Sequence, residues 1–361
     1  MSALVAISCA PSAERQMDRL LTPLFPAGEP GAAVLVLKGD QVIFDKAYGL
    51  ANLESGTPID GNTSFNLASV SKQFTAVAVL QLVEEGKISL EDPVSKYFPE
   101  FESDIWKEIR LKHLLSHSSG VPDERGYLTH EQKIAGDEAL ATEYLKTLDH
   151  RNFAPGTSYE YINPTYVLLG QLVERVSGQA FTDYVQKHIF TPAGMDHTVY
   201  FDRDAQDPQA AHGYEYADER PQGPHDWYEF DFGEETFFAT RPDGGIYTST
   251  HDFVKWEKAL RQGSVLSEEL LKEAMTPHVQ VTDSPWSLYQ NRPHTWYGYG
   301  WFIESAHDGG PLRIYHTGDN GGFKILAVRY PEQNALLLIF ANRADWDRYQ
   351  VMKDIESIIF Q

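Results

Sequence analysis

The order of elements along the chain predicts an α+β fold. An antiparallel sheet is built from both chain ends and flanked by helices, and a mostly helical subdomain is inserted between the two halves. Three observations carry this reading. Two β-rich runs, 32–37 and 41–48, lie near the start. Helical patterns dominate from about residue 72 to 195. Strand patterns then return over 296–304 and 312–342, before a last helix.

Each element has its own signal. A first helix is expected over about 13–24. The two β-rich runs flank Lys38-Gly39-Asp40, the residues of a hairpin turn. A polar connection, 56–65, leads to Ser69-Val70-Ser71-Lys72. Phe74, Ala76 through Leu80, Leu82 and Val83 follow, closed by Gly86. A run apolar almost all round predicts a buried helix with a glycine C-cap. A further helix opens with Pro164 in the first helical position and ends at Gly178. Residues 199–240 are acidic, aromatic and rich in Gly and Pro, the composition of a long loop. Gly244-Gly245 precede a helix near 251–262. Turns at 319–322 and 331–334 divide the C-terminal strands, and an amphipathic helix runs from about 346 to 360.

With 361 residues the chain exceeds the usual size of one core. A single catalytic domain is expected over 13–361, in two subdomains. One is α/β (about 13–65 and 241–361), and the other is helical (about 66–240). A net charge of −22 lacks the basic footprint that nucleic acid requires, and it opposes docking on anionic membranes. Cys9 is the one cysteine, so no intrachain disulfide forms, which fits a cytoplasmic or a periplasmic protein. Residues 1–12 read as a flexible N-terminus or a signal remnant. The apolar Met1–Cys9 stretch carries no Lys or Arg. It matches either a frayed end or the tail of a lipoprotein signal lipidated at Cys9, if the true start lies upstream. No later segment approaches the length of a transmembrane helix.

The chemistry-bearing residues begin with Ser69 and Lys72. Residues three apart share a helix face, so the Ser69 hydroxyl and the Lys72 amine can meet. A serine needs a neighbour to take its proton, and a lysine in apolar surroundings can do that or assist another base. The alternative is an ordinary helix start with Ser69 or Ser71 as N-cap. His113 and His117, spaced i, i+4, have the spacing of a zinc pair, but no Glu completes a metalloprotease pattern. No metal site and no organic cofactor are expected. Trp227, Tyr228, Phe230, Phe232, Phe237 and Phe238 either line an apolar substrate mouth or pack a long loop.

Three more segments complete a constellation: Leu114-Leu115-Ser116-His117-Ser118-Ser119-Gly120, Tyr161-Ile162-Asn163 after Phe153-Ala154-Pro155-Gly156-Thr157, and His316-Thr317-Gly318 before Asp319-Asn320-Gly321-Gly322. With Ser69-x-x-Lys72, the chain resembles the serine β-lactamase and penicillin-binding protein superfamily. The branch it is most similar to holds class C β-lactamases, D,D-carboxypeptidases, D-aminopeptidases and related esterases. Gly49-Leu50-Ala51-Asn52 and Ile189 through Met195 extend the match, which runs from about Gly31 to Asn342. The resemblance implies the β-lactamase-like fold and a serine hydrolase acting through an acyl-enzyme. It makes Ser69 the nucleophile, Lys72 its partner and Tyr161 the general base. Asn163 would orient the substrate amide, N-cap the Pro164 helix, or do both. His316, Thr317 and Gly318 would form the substrate-binding strand, and the Asp319 and Ser69 amides the oxyanion hole. His113 and His117 are structural in the family. His316 stands where β-lactamases carry Lys, which favours an esterase or D-amino-acid peptidase over a β-lactamase. A β-lactamase proper and a non-hydrolytic penicillin-binding or ligand-binding protein are the alternatives. The Asp319 carboxylate would repel acidic substrates or attract amines. The expected partner is a small molecule or short peptide.

Overall fold

The computed structural model describes residues 12–122, 138–200, 202, 210–216, the backbone of 227–229, 240–282, 293–307 and 309–360. Cys9 and the aromatic residues Phe230, Phe232, Phe237 and Phe238 lie outside them.

The main sheet has eight strands, all paired antiparallel. In chain order they are β1 (Ala32–Lys38), β2 (Gln41–Tyr48), β3 (Val279–Gln280), β4 (Thr295–Tyr297), β5 (Phe302–Glu304), β6 (Arg313–Asn320), β7 (Phe323–Tyr330) and β8 (Ala335–Ala341). The spatial order is β3-β4-β5-β6-β7-β8-β1-β2. The expected sheet from both chain ends is thus present, joined where β1 pairs with β8 from Ala32↔Ala341 to Lys38↔Ala335. The single strand expected over 296–304 is instead two, β4 and β5. Gly300 takes a left-handed φ of +89°, and the chain reverses between them.

The central strands are apolar in unbroken runs because both faces are covered. Ala33, Leu35 and Leu37 of β1, with Leu336, Leu338 and Phe340 of β8, pack toward a helical layer. Ala32, Val34, Val36, Leu337 and Ile339 pack on the opposite face, against Met17, Leu21, Ile355 and Ile359. Those last four come from the terminal helices, α1 (Ala13–Leu21) and the C-terminal Arg348–Ile359. Arg313 fastens the C-terminal helix to the sheet. Its Nε and Nη2 donate to the two Glu356 carboxylate oxygens at 2.6 Å each, and its Nη1 to Glu304 at 2.6 Å.

The helical layer centres on α2 (Lys72–Glu84), buried along nearly its whole length. Phe74 stacks on Trp256 with ring centroids 4.3 Å apart. Beside α2 lies α3 (Asn163–Ser177), ended by Gly178 at φ +70°. It starts one residue before the predicted position, so Pro164 is its second residue. The helix predicted near 251–262 is α4 (Thr250–Arg261), and Arg348–Ile359 is α5. Within 199–240 the described residues include a short antiparallel pair, Tyr214–Tyr216 with Trp227–Glu229. Among the described residues no helix is long and apolar enough to cross a membrane.

Candidate active site

Ser69 sits in a short 3-10 turn, Ala68–Ser71, that runs into α2. The turn is tight: Ala68 adopts φ +46°, rare for a residue with a side chain. Several bonds hold it there. Asn66 Oδ1 accepts from the Ala68 amide at 2.9 Å, and Asn320 of β6 donates to the same oxygen at 3.1 Å. The Leu67 amide donates to Ile246 O at 2.8 Å. Ser71 makes no cap bond; its Oγ accepts from the Ile246 amide at 3.2 Å. From Thr63 to Leu80 every residue is buried except Ser69, which is partly exposed. The turn therefore lifts one hydroxyl out of a packed layer.

Lys72 is fully buried. Its Nζ donates to Ser69 Oγ at 3.1 Å and to the Asp243 carbonyl at 2.8 Å. It lies 5.0 Å from the centre of the Tyr161 ring and 5.6 Å from that of Tyr166. A cation at that range lies against the ring of Tyr161, which places the two side chains next to each other. The structure thus brings the three residues singled out for proton transfer into one cluster.

Tyr161 is held by His117, itself at φ +54°. The His117 carbonyl accepts from the Glu160 amide at 2.9 Å and its Nδ1 from the Ile162 amide at 3.2 Å. The rings of His117 and Tyr161 lie 4.2 Å apart. Burial, and then the charge of Lys72, push the His117 imidazole well below its usual pKa. His113 Nδ1 accepts from the Arg110 amide at 3.1 Å. Each histidine of the i, i+4 pair thus has a ring nitrogen engaged by the backbone. Asn163 opens α3, but its side chain makes no cap bond, and its buried Oδ1 has no hydrogen-bond partner among the described residues. The N-cap alternative is therefore not realised.

β6 supplies the other wall. β5 pairs with it only through Arg313, Ile314 and Tyr315, so His316 onward borders the site. Gly318 packs on the turn before Ser69: a Cβ there would lie 2.2 Å from Leu67 O. His316 is fully buried and neutral. Burial, with Lys72 next, pushes its pKa down to about 3. Its Nδ1 lies 2.7 Å from Thr317 O, which only accepts, so Nδ1 carries the proton. Its Nε2 accepts from Tyr297 Oη at 3.0 Å. Both ring nitrogens of His316 are thus engaged inside the protein. Successive residues of a strand point to opposite faces. Thr317 and Asp319 accordingly face α5, not Ser69, and Asp319 pairs with Arg348. The expectation that a bare Asp319 carboxylate sets substrate charge preference is corrected by that pairing.

The sequence reading missed three participants. Tyr297, just before Gly298-Tyr299-Gly300, donates to His316 Nε2, and an aromatic beside a glycine was its one signal. The Asp243 carbonyl and Arg348 left none.

The family model described as Beta-lactamase matches residues 17–356. Penicillin-binding protein 4* of Bacillus subtilis (strain 168) is 27% identical over 366 residues, covering 96% of this chain and 76% of that protein. The solved penicillin binding protein from Bacillus halodurans superposes with a TM-score of 0.75 at 27% identity, over 97% of this chain and 100% of that one. D-amino acid amidase from Ochrobactrum anthropi SV3, complexed with L-phenylalanine amide, has the same fold: TM-score 0.77 at 21% identity, over 96% of each chain. The β-lactamase-like fold, the Ser69–Lys72 contact and a family model spanning nearly the whole sequence agree: the chain belongs to the Beta-lactamase family and is a serine hydrolase.

Proposed function

We propose that the protein cleaves an ester or amide of a small molecule or short peptide, with Ser69 as nucleophile. The observation that carries this is the one partly exposed hydroxyl in a buried layer, 3.1 Å from a fully buried ammonium. Ser69 Oγ attacks the carbonyl carbon and passes its proton to the Tyr161–Lys72 pair. The Ser69 and Asp319 amides stabilise the oxyanion. The C–O or C–N bond to the leaving group breaks as the pair returns the proton to it. Water then repeats the sequence on the acyl-enzyme and frees Ser69. Asn163 Oδ1 offers an acceptor to a substrate N–H. Gly318 allows the substrate-binding strand, which also carries His316 and Thr317, to approach the nucleophile turn.

A neutral, buried His316 presents no fixed cation to a β-lactam carboxylate. This supports an esterase or D-amino-acid peptidase over a β-lactamase, and the solved D-amino acid amidase of like fold fits the amide option. The test compares p-nitrophenyl acetate, D-phenylalanine p-nitroanilide and nitrocefin with wild type and Ser69→Ala. Continuous turnover of either of the first two, lost in the variant, supports the proposal. A single stoichiometric burst with nitrocefin and no ester or anilide turnover would replace it with a penicillin trap. Retention of a tenth of wild-type turnover by Ser69→Ala would remove Ser69 from the mechanism.

A further inference from the structure

The Gly318–Asp319 peptide is gripped from outside the site. Arg348, in the first turn of α5, is buried with 6% of its surface exposed. Its Nη1 donates to the Gly318 carbonyl at 3.3 Å and to the Ile325 carbonyl at 3.0 Å. Its Nη2 donates to Asp319 Oδ1. Asn320 and Phe323 close the two-residue Gly321-Gly322 turn as a hydrogen-bonded pair, and such pairs alternate along the ladder, so Gly318 and Ile325 form the next one and the Gly318 carbonyl points toward β7. In a trans peptide the C=O and N–H point opposite ways, and the described chain has no cis bond. The Asp319 N–H therefore points away from β7, toward the border that β5 leaves unpaired and on which the Ser69 turn sits.

We propose that Arg348 is a positioning residue for the oxyanion hole. It holds the Gly318–Asp319 peptide at both ends, by the carbonyl of one residue and the carboxylate of the next, and so fixes the plane in which the Asp319 N–H points. A guanidinium on the carbonyl oxygen also draws electron density from the amide nitrogen and strengthens that N–H as a donor. Lys324, whose charge is also felt by Asp319 and Arg348, is committed elsewhere: its Nζ donates to the Ala344 and Trp346 carbonyls at 2.8 and 2.6 Å. This inference rests on the acyl-enzyme reading above.

The test measures kcat, KM and the affinity of phenylboronic acid, which adds to the serine as a tetrahedral anion. Thermal unfolding and titration of active sites run alongside. In Arg348→Met, kcat should fall about 30-fold, less than the 10²–10³ that follows loss of a whole oxyanion donor. KM should stay within threefold, and boronate affinity should fall in step with kcat. Arg348→Lys keeps the charge but not the two-armed grip, and should recover only part of the loss. A residue that merely supports the fold would lower the count of active sites and leave kcat per site and boronate affinity at wild-type values; that result overturns the inference. If Arg348→Met does not fold, Asp319→Ala decides. It removes one arm at an exposed side chain, and a fivefold fall in kcat at constant KM supports the inference while an unchanged kcat overturns it. If wild type forms no boronate adduct on Ser69, the nucleophile reading falls and takes this one with it. A normal wild-type adduct with unaltered variants overturns this one alone.

Discussion

Gly318→Ala tests how closely β6 must approach the nucleophile turn. The φ of Gly318 lies outside the left-handed range, so an alanine costs nothing in backbone conformation. The cost is steric, because the new methyl would lie 2.2 Å from Leu67 O and 3.1 Å from Ala68 Cβ. The obstacle is main chain, anchored by the Leu67–Ile246 and Ala68–Asn66 bonds, and cannot swing aside as a flexible side chain would. Ordinary contact begins at 3.4 Å, so strand and turn must separate by about 1 Å. That gap opens between the Ser69 and Asp319 amides, the two donors of the proposed oxyanion hole. A misplacement of ~1 Å costs on the order of 100-fold in rate, or about 2.7 kcal/mol in the barrier. Overpacking should lower stability by about 1–3 kcal/mol. The assay is kcat on p-nitrophenyl acetate beside urea unfolding of the same sample. A folded variant with kcat within threefold of wild type would refute the close-approach argument.

Stability should decline in mild acid. His316 and His117 are neutral in the fold with depressed pKa values, whereas both take a proton near pH 6.5 when unfolded. The stability that depends on their neutrality is complete above pH 6.5 and is lost as pH falls toward the folded values, by up to about 4 kcal/mol for the pair between pH 7.5 and 5.0. A urea midpoint that does not move over that range would refute it. Lys72→Ala and Tyr161→Phe should each lower kcat at least 100-fold, with the double variant within about fivefold of the worse single, because one proton-transfer unit is lost only once. Losses that add fully in log rate would separate the two residues. Glu356→Ala leaves Arg313 buried with one carboxylate fewer and should cost about 3 kcal/mol in denaturant unfolding while KM changes less than twofold. A stability within 0.5 kcal/mol of wild type would show that Glu304 alone satisfies the arginine.

Local chemistry was legible in the sequence, and long-range backbone chemistry was not. Lys38-Gly39-Asp40 announced its hairpin because Gly39 takes φ +63°, a conformation few residues accept. The Ser69–Lys72 contact followed from helical spacing alone. The facing of Asp319 was available from strand alternation with His316 but needed the strand's register against α5. The Asp243 carbonyl reaches Lys72 across 171 residues of chain, and any residue can supply a carbonyl, so composition carries no trace of it. The Gly298–Gly300 reversal was hidden because the aromatics on either side made one continuous β-like run.

The position of β1 between β8 and β2 has a consequence for synthesis. The β1–β2 hairpin is made early, yet Ala33, Leu35 and Leu37 gain their neighbours Leu336, Leu338 and Phe340 only some 300 residues later. At about 5–20 residues per second, a ribosome takes roughly 15–60 s over that interval. During it the hairpin carries two apolar faces and an open strand edge, the features that draw chains into aggregates or onto chaperones. Ser69 and Lys72 are likewise in place well before Gly318 and Asp319. A nascent chain would hold the nucleophile without its oxyanion strand and stay inert until the sheet closes, so turnover in translation extracts should lag chain synthesis by the time β8 needs to find β1.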